Sequence, residues 1–250
     1  MAGFKAAFVN EMVKLLKKKK LIAAAILSVL GVLIGQASVT AFQAGFGLRI
    51  AGSTEFPLLV LPVFTYTILP LFTTFVAIDM FNGEWNAGTM KLTLTRPVSR
   101  FGVFCAKVGN IAAFILVNLL FIMLVSLIAG FIFNPGSSGI VGILRVLLAY
   151  LVTFVPIFVF ALLVVLLCNV IRSGLAVFFL SVLVFVGFIA IGLLYSRFSS
   201  FLFTSQLSWY TLWISDSINP FKLLRQTMLL SGCGLMLFTA GYYLFDRRDL

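Results

Sequence analysis

A chain of 250 residues that is 62% hydrophobic and 10% charged, with mean hydropathy +1.18, is not a soluble domain; soluble chains hold about 45–50% apolar and about 25% charged residues. The net charge of +11 comes from cations clustered beside apolar runs, which is the pattern of cytoplasmic membrane flanks and not of a nucleic-acid-binding face. The absence of His excludes an HExxH zinc site, and the absence of any Gly-Lys dipeptide excludes a phosphate-binding loop for ATP.

Residues 1–20 place Phe4, Ala7, Phe8, Met12, Leu15 and Leu16 at helical spacing, with Lys5, Lys14, Lys17 and Lys18 over much of the remainder and Glu11 beside the apolar stripe. This predicts an amphipathic helix on the inner leaflet with its lysines toward anionic headgroups. Residues 21–40 form a first apolar run long enough to span. Gly31 and Gly35 within it form a GxxxG, which lets a second helix approach closely, in this chain or in a partner.

After a short outer loop at 41–56, residues 57–78 form a second span interrupted by Pro62 and Pro70. Thr65, Thr67, Thr73 and Thr74 lie between and after the prolines. Prolines free backbone carbonyls that threonines can re-satisfy, so this bent segment either lines a path or simply packs.

Further spans are expected at 108–133, 143–168, 174–195 and 223–245. The third holds Asn110 and Asn118, suited to bonds across helices. Cys105, Cys168 and Cys233 lie in or beside apolar runs without a CxxC and read as small apolar residues. Residues 202–214 are too short to cross and suit an interfacial or re-entrant helix. Trp209 and Trp213 share one face of it, as an outer aromatic belt requires. Six spans put both termini on one side. That side carries 13 of the Lys and Arg residues and the other carries five, so both termini are expected in the cytoplasm.

Residues 79–107 make the longest polar interruption in the chain. Asp79 to Ala87 continues as a short helix that Gly88 can stop. Pro97 breaks the stretch after it, and Ser99 is a suitable N-cap for a helix of about 34 residues. Phe101, Phe104 and Val108 are expected to face inward, with Arg100 and Lys107 snorkelling to the interface. Glu84 reads as an exposed charge beside Trp85, a combination suited to docking.

Glu84, Gly88-Thr89, Pro97-Val98-Ser99-Arg100 and Lys107 together resemble the signature of type-2 ABC exporter permeases, and the six-span plan is similar along nearly the whole chain. The resemblance implies an all-α polytopic fold with an N-terminal interfacial helix, a cytoplasmic coupling helix between spans 2 and 3, and short outer helices before span 6. It implies that Asp79, Glu84, Trp85, Gly88, Thr89, Arg96, Pro97 and Arg100 dock a separate ABC ATPase subunit, which binds ATP and magnesium, so that this chain binds no cofactor and is not itself an enzyme. It further implies pairing with a second permease, identical or paralogous, in a bacterial plasma membrane, and export of a drug, peptide, lipid or polysaccharide. The few charges along the spans point to a hydrophobic or amphipathic cargo. The alternative is a secondary transporter or channel without an ATPase. Such carriers place ionisable groups near the bilayer centre, and the sequence places none mid-span.

Overall fold

Apolar runs of this length satisfy their backbones in a bilayer as helices. In the computed structural model, every regular element among the described residues (2–47, 51–89, 99–134, 136, 139–194, 202–215 and 219–248) is helical. In chain order these are α1 (Ala2–Leu16), α2 (Lys19–Phe46), α3 (Phe56–Tyr66), α4 (Ile68–Met80), α5 (Asn82–Asn86), α6 (Arg100–Phe133), α7 (Ile140–Val170) and α8 (Gly174–Leu194). A 3-10 turn (Phe203–Ser208), α9 (Tyr210–Ile214) and α10 (Pro220–Asp246) complete the series. Five helices are individually long and apolar enough to cross a membrane, and α3 with its continuation makes a sixth, bent candidate.

The core is formed where α6 and α7 meet. The most apolar stretch of α7 is 56% buried, against 17% in α8 and in α10, so the last two present most of their surface outward. Phe104 sits at the end of this core that lies near the N-terminus of α6. It is fully buried among Phe81, Phe238 and Phe245, with ring centroids 5.3 to 5.9 Å away.

The first span runs past the expected limit of residue 40 because no breaker intervenes before Gly47. That glycine, at φ 68°, takes the left-handed conformation that ends the helix. The GxxxG is used within the chain: a Cβ on Gly31 would lie 2.7 Å from the ring tip of Phe64 on α3, and one on Gly35 would lie 3.9 Å from Val60.

The second span breaks at Thr67, with a bend of 46°. Pro70 explains the position. It has no N–H for the carbonyl of Tyr66, four residues earlier, and its ring crowds that carbonyl. Ser99 caps α6 as expected, accepting from the Gly102 amide at 3.1 Å, and α6 runs unbroken for 34 residues. Asn110 donates to the Phe8 carbonyl and Asn118 accepts from Ser28, so both asparagines do bond across helices.

Two assignments need correction, one inward and one outward. Phe104 and Val108 are buried, but Phe101 is half exposed at the edge of Phe238 and Tyr242. Trp209 faces no bilayer; it is buried, and its indole N–H donates to the Val152 carbonyl at 3.1 Å. Pro156 lies four residues after Val152 inside α7 and cannot supply that carbonyl with its helical donor. The indole takes its place. Trp213 stacks edge-on against Trp209, with centroids 5.8 Å apart.

Candidate functional site

The short helix α5 packs against the N-terminal end of α6 and the turn between α7 and α8, and it is held from four directions. Phe81, fully buried, anchors its start. Asn82 donates to the carbonyls of Ile171 (2.7 Å) and Arg172 (3.0 Å), which ties α5 to the turn between α7 and α8. Glu84 reaches Lys107 of α6 at 2.6 Å and Lys14 of α1 at 2.9 Å. Trp85 lies beneath the guanidinium of Arg248, 4.7 Å from its ring centre. Arg248 in turn donates to the Cys168 carbonyl at the end of α7.

The ionic part of this clasp contains two lysines and two carboxylates. Lys107, with no exposed surface, lies 3.1 Å from Glu11 and donates to the Met80 carbonyl at 2.9 Å as well as to Glu84. Lys14 closes the ring, 2.7 Å from Glu11. Each ammonium therefore faces two carboxylates, and Lys107 gains a backbone acceptor. Burial of charge at this depth requires that degree of satisfaction. Beside the ring, Lys18 and Lys20 pair with Asp79 at 3.5 and 2.9 Å. A cavity of about 30 Å³, bordered by Glu11, Lys14, Asp79 and Glu84, leaves room for water between the two groups.

Electrostatics holds the clasp in its charged form. Burial works to raise the Glu84 carboxyl, but the charge and hydrogen bond of Lys107, with those of Lys14, bring it below its ordinary range. Burial works to lower the Lys14 ammonium, but its bonds to Glu11 and Glu84 raise it above the ordinary value.

This geometry corrects three expectations. Lys107 does not snorkel, because Glu11, Glu84 and the Met80 carbonyl supply its partners inside. The lysines of the N-terminal helix do not all reach toward headgroups, since Lys14, Lys18 and Lys20 are engaged by carboxylates. Glu84 is not an exposed charge; it and Trp85 turn back into the protein. The outward face of this segment consists of Gly83, Asn86, Ala87, Gly88 and Thr89. Gly88 ends α5 as expected, at φ 67°. Arg100 donates to the Asp246 carbonyl and so fastens the end of α10. Arg96 and Pro97 lie outside the described residues.

The threonines of the bent span divide. Thr67 and Thr74, with Tyr66, Pro70, Phe160 and Phe185, border a cavity of about 240 Å³ at the bend. Thr65 is buried and bonds the Pro62 carbonyl, and the buried Thr73 hydroxyl has no partner among the described residues. Sequence reasoning does not assign Glu11, Lys14, Asn82 or Arg248 to this site. Only Glu11 carries a signal there, as an acid set against an apolar stripe. Among the described residues no cluster could hold a metal ion.

A family model for ABC-2 family transporter proteins matches residues 7–191, about three quarters of the chain and all of the clasp except Arg248. The chain belongs to the ABC-2 transporter family. This ABC-2 permease is thus the membrane-spanning part of an ABC transporter and not its ATPase. A curated relative, the uncharacterized protein YhcI of Bacillus subtilis (strain 168), is 39% identical over 75 residues, which is 30% of this permease and 24% of that protein. The permease therefore aligns with about a quarter of that relative's length.

Proposed function

We propose that this permease exports a hydrophobic or amphipathic substrate using ATP hydrolysed, with magnesium, on a separate ABC ATPase subunit, and that α5 is the coupling element. The observation that carries this reading is the hold on α5: one short helix is bonded to α1, α6, the α7–α8 turn and Arg248, while Asn86 to Thr89 remain exposed. These exposed residues are the surface offered to the ATPase. Glu84 and Trp85 act behind it, passing its displacement to the spans. The cavity at the α3–α4 bend, apolar apart from the Thr67 and Thr74 hydroxyls and the Tyr66 phenol, suits an apolar cargo beside the path. Both termini are cytoplasmic, in keeping with the cation bias, and a second permease, identical or paralogous, completes the path.

The test uses a background in which Cys105, Cys168 and Cys233 are replaced. Asn86→Cys and Gly139→Cys are introduced singly, the permease is expressed with its ATPase, and intact cells receive an impermeant thiol reagent. Gly139→Cys is expected to label and Asn86→Cys to be protected. In open membranes Asn86→Cys should cross-link to the ATPase. Export that persists with a hydrolysis-dead ATPase would overturn the function, and labelling of Asn86→Cys alone in intact cells would overturn the orientation.

A further inference from the structure

The exposed face of the α5 segment carries no charge. Gly83, Asn86, Ala87, Gly88 and Thr89 are neutral, and the one carboxylate of the helix, Glu84, turns inward to Lys107 and Lys14. Cations border that face instead. Arg172, in the turn between α7 and α8, is exposed, and its carbonyl accepts from Asn82 at the start of α5. Arg248 lies over the Trp85 ring and donates to the Cys168 carbonyl. Arg100, at the first position of α6, donates to the Asp246 carbonyl, two residues before Arg248. None of these three guanidiniums forms an ion pair among the described residues. Two of them also oppose each other: burial and the charge of Arg172 both hold the Arg248 guanidinium below its ordinary value. Like charges set together without a counter-charge repel, and an incoming anion relieves that repulsion.

We infer that Arg100, Arg172 and Arg248 form a basic collar that receives carboxylates of the ATPase subunit, which meets the neutral face of α5 by shape and the collar by charge. This rests on the reading of α5 as the docking element and adds the chemistry of the partner, an acidic patch beside its docking cleft. Carboxylates suit the collar because the forked guanidinium can take both oxygens of one. Arg248 spends one N–H on Cys168 and its flat face on Trp85, and a guanidinium has five N–H groups, so donors remain. Position favours the ATPase over a lipid headgroup. Arg172 and Arg248 are joined to α5 itself, through Asn82 and Trp85, so the collar is continuous with the exposed face. A load taken at either arginine reaches α5 directly.

The test uses the full-length permease purified in detergent with its ATPase. Arg172→Lys keeps the charge and supplies an amine. A water-soluble carbodiimide, which joins an amine to a carboxylate without a spacer, should then form an amide between position 172 and an Asp or Glu of the ATPase, located by mass spectrometry. Arg172→Gln should weaken ATPase binding about two- to fivefold at low salt, and Arg172→Glu about tenfold. Both differences should close in about 0.5 M salt, and the thermal midpoint of the permease alone should not move, because Arg172 is exposed. Cross-linking through Asn86→Cys reports the docking of α5 independently. If Asn86→Cys captures the ATPase while the amide is absent and both charge variants bind like wild type at every salt concentration, the collar is overturned and the docking reading stands. If Asn86→Cys captures nothing, both fall. An amide from position 172 to a carboxylate of the permease itself would overturn the collar, as would a charge reversal that changes retention of phosphatidylglycerol but not of the ATPase.

Discussion

Lys107 on α6 and Glu84 on α5 meet at 2.6 Å with the lysine wholly enclosed. An ammonium in that position cannot be rehydrated without parting the helices, so the pair fastens α5 to α6 beside the contact of Lys107 with the Met80 carbonyl. Removing one member of a buried pair leaves the remaining charge uncompensated. Lys107→Met should therefore destabilise the permease by about 3 kcal/mol, seen as a lower thermal midpoint in detergent. Lys14→Met, at a partly exposed position, should cost at most about 1 kcal/mol. Equal costs for the two would contradict the unequal burial.

The clasp also sets a pH dependence. Glu84 is held below its ordinary 4.5. A depressed carboxyl contributes stability that is present above the unfolded value and lost as pH falls through the folded one. Lys14 is raised above 10.5, so its contribution is complete below that value and lost only as pH rises through the folded one. Across neutral pH both groups are charged. The thermal advantage of wild type over Glu84→Gln should be level from about pH 6 to 8 and shrink in acid below about 4.5. Loss of the advantage between pH 6 and 8 would rule out this assignment.

Trp209 should matter through its N–H and not through its ring. Trp209→Phe keeps an aromatic but leaves the Val152 carbonyl unpaired, at a cost of about 1–3 kcal/mol. Pro156→Ala returns a backbone donor to that carbonyl. In the Pro156→Ala background the cost of Trp209→Phe should then fall by about half or more. Additive costs in the double mutant would show that the bond is not what Trp209 supplies.

Gly88 ends α5 at positive φ, and a Cβ placed there would meet nothing within 4 Å. The obstacle to substitution is thus purely conformational, about 1–2 kcal/mol for an ordinary residue, and Asn tolerates the same backbone. If α5 couples to the ATPase as proposed, Gly88→Ala should reduce substrate-stimulated ATP turnover in the assembled transporter by about five- to thirtyfold, the factor that a penalty of about 1–2 kcal/mol sets. Gly88→Asn should stay within about twofold of wild type. An ordering with Ala better than Asn would remove the backbone argument.

The helical fold was legible because its signals are one-dimensional: apolar length, Gly88 as a stop, Ser99 as a cap and Pro70 as a breaker all act on neighbours in sequence. The clasp was legible only in part. Glu84 reads as important, but its direction depends on Lys107 and Lys14, which lie 23 and 70 residues away, and no local periodicity encodes such pairings. Lys107 reads as interfacial because an isolated lysine prefers water. Two carboxylates brought by other helices reverse that preference. Trp209 shows the same limit: the sequence shows a pair of tryptophans, whereas the carbonyl that attracts one of them belongs to Val152, 57 residues earlier, and is left unpaired by Pro156.

The uninterrupted length of α6 gives the permease a mechanical advantage. Its N-terminal end carries Lys107, and at its C-terminal end Gly130 lies so close beneath the Ser53 carbonyl that a Cβ would come within 2.3 Å of the oxygen. A rod of 34 residues measures roughly 50 Å, so a tilt of about 5° imposed at the clasp sweeps the far tip through about 4 Å. That distance is larger than the clearance at Gly130. A small swing at one end of α6 therefore either carries the Ser53 loop with it or breaks the close approach at Gly130.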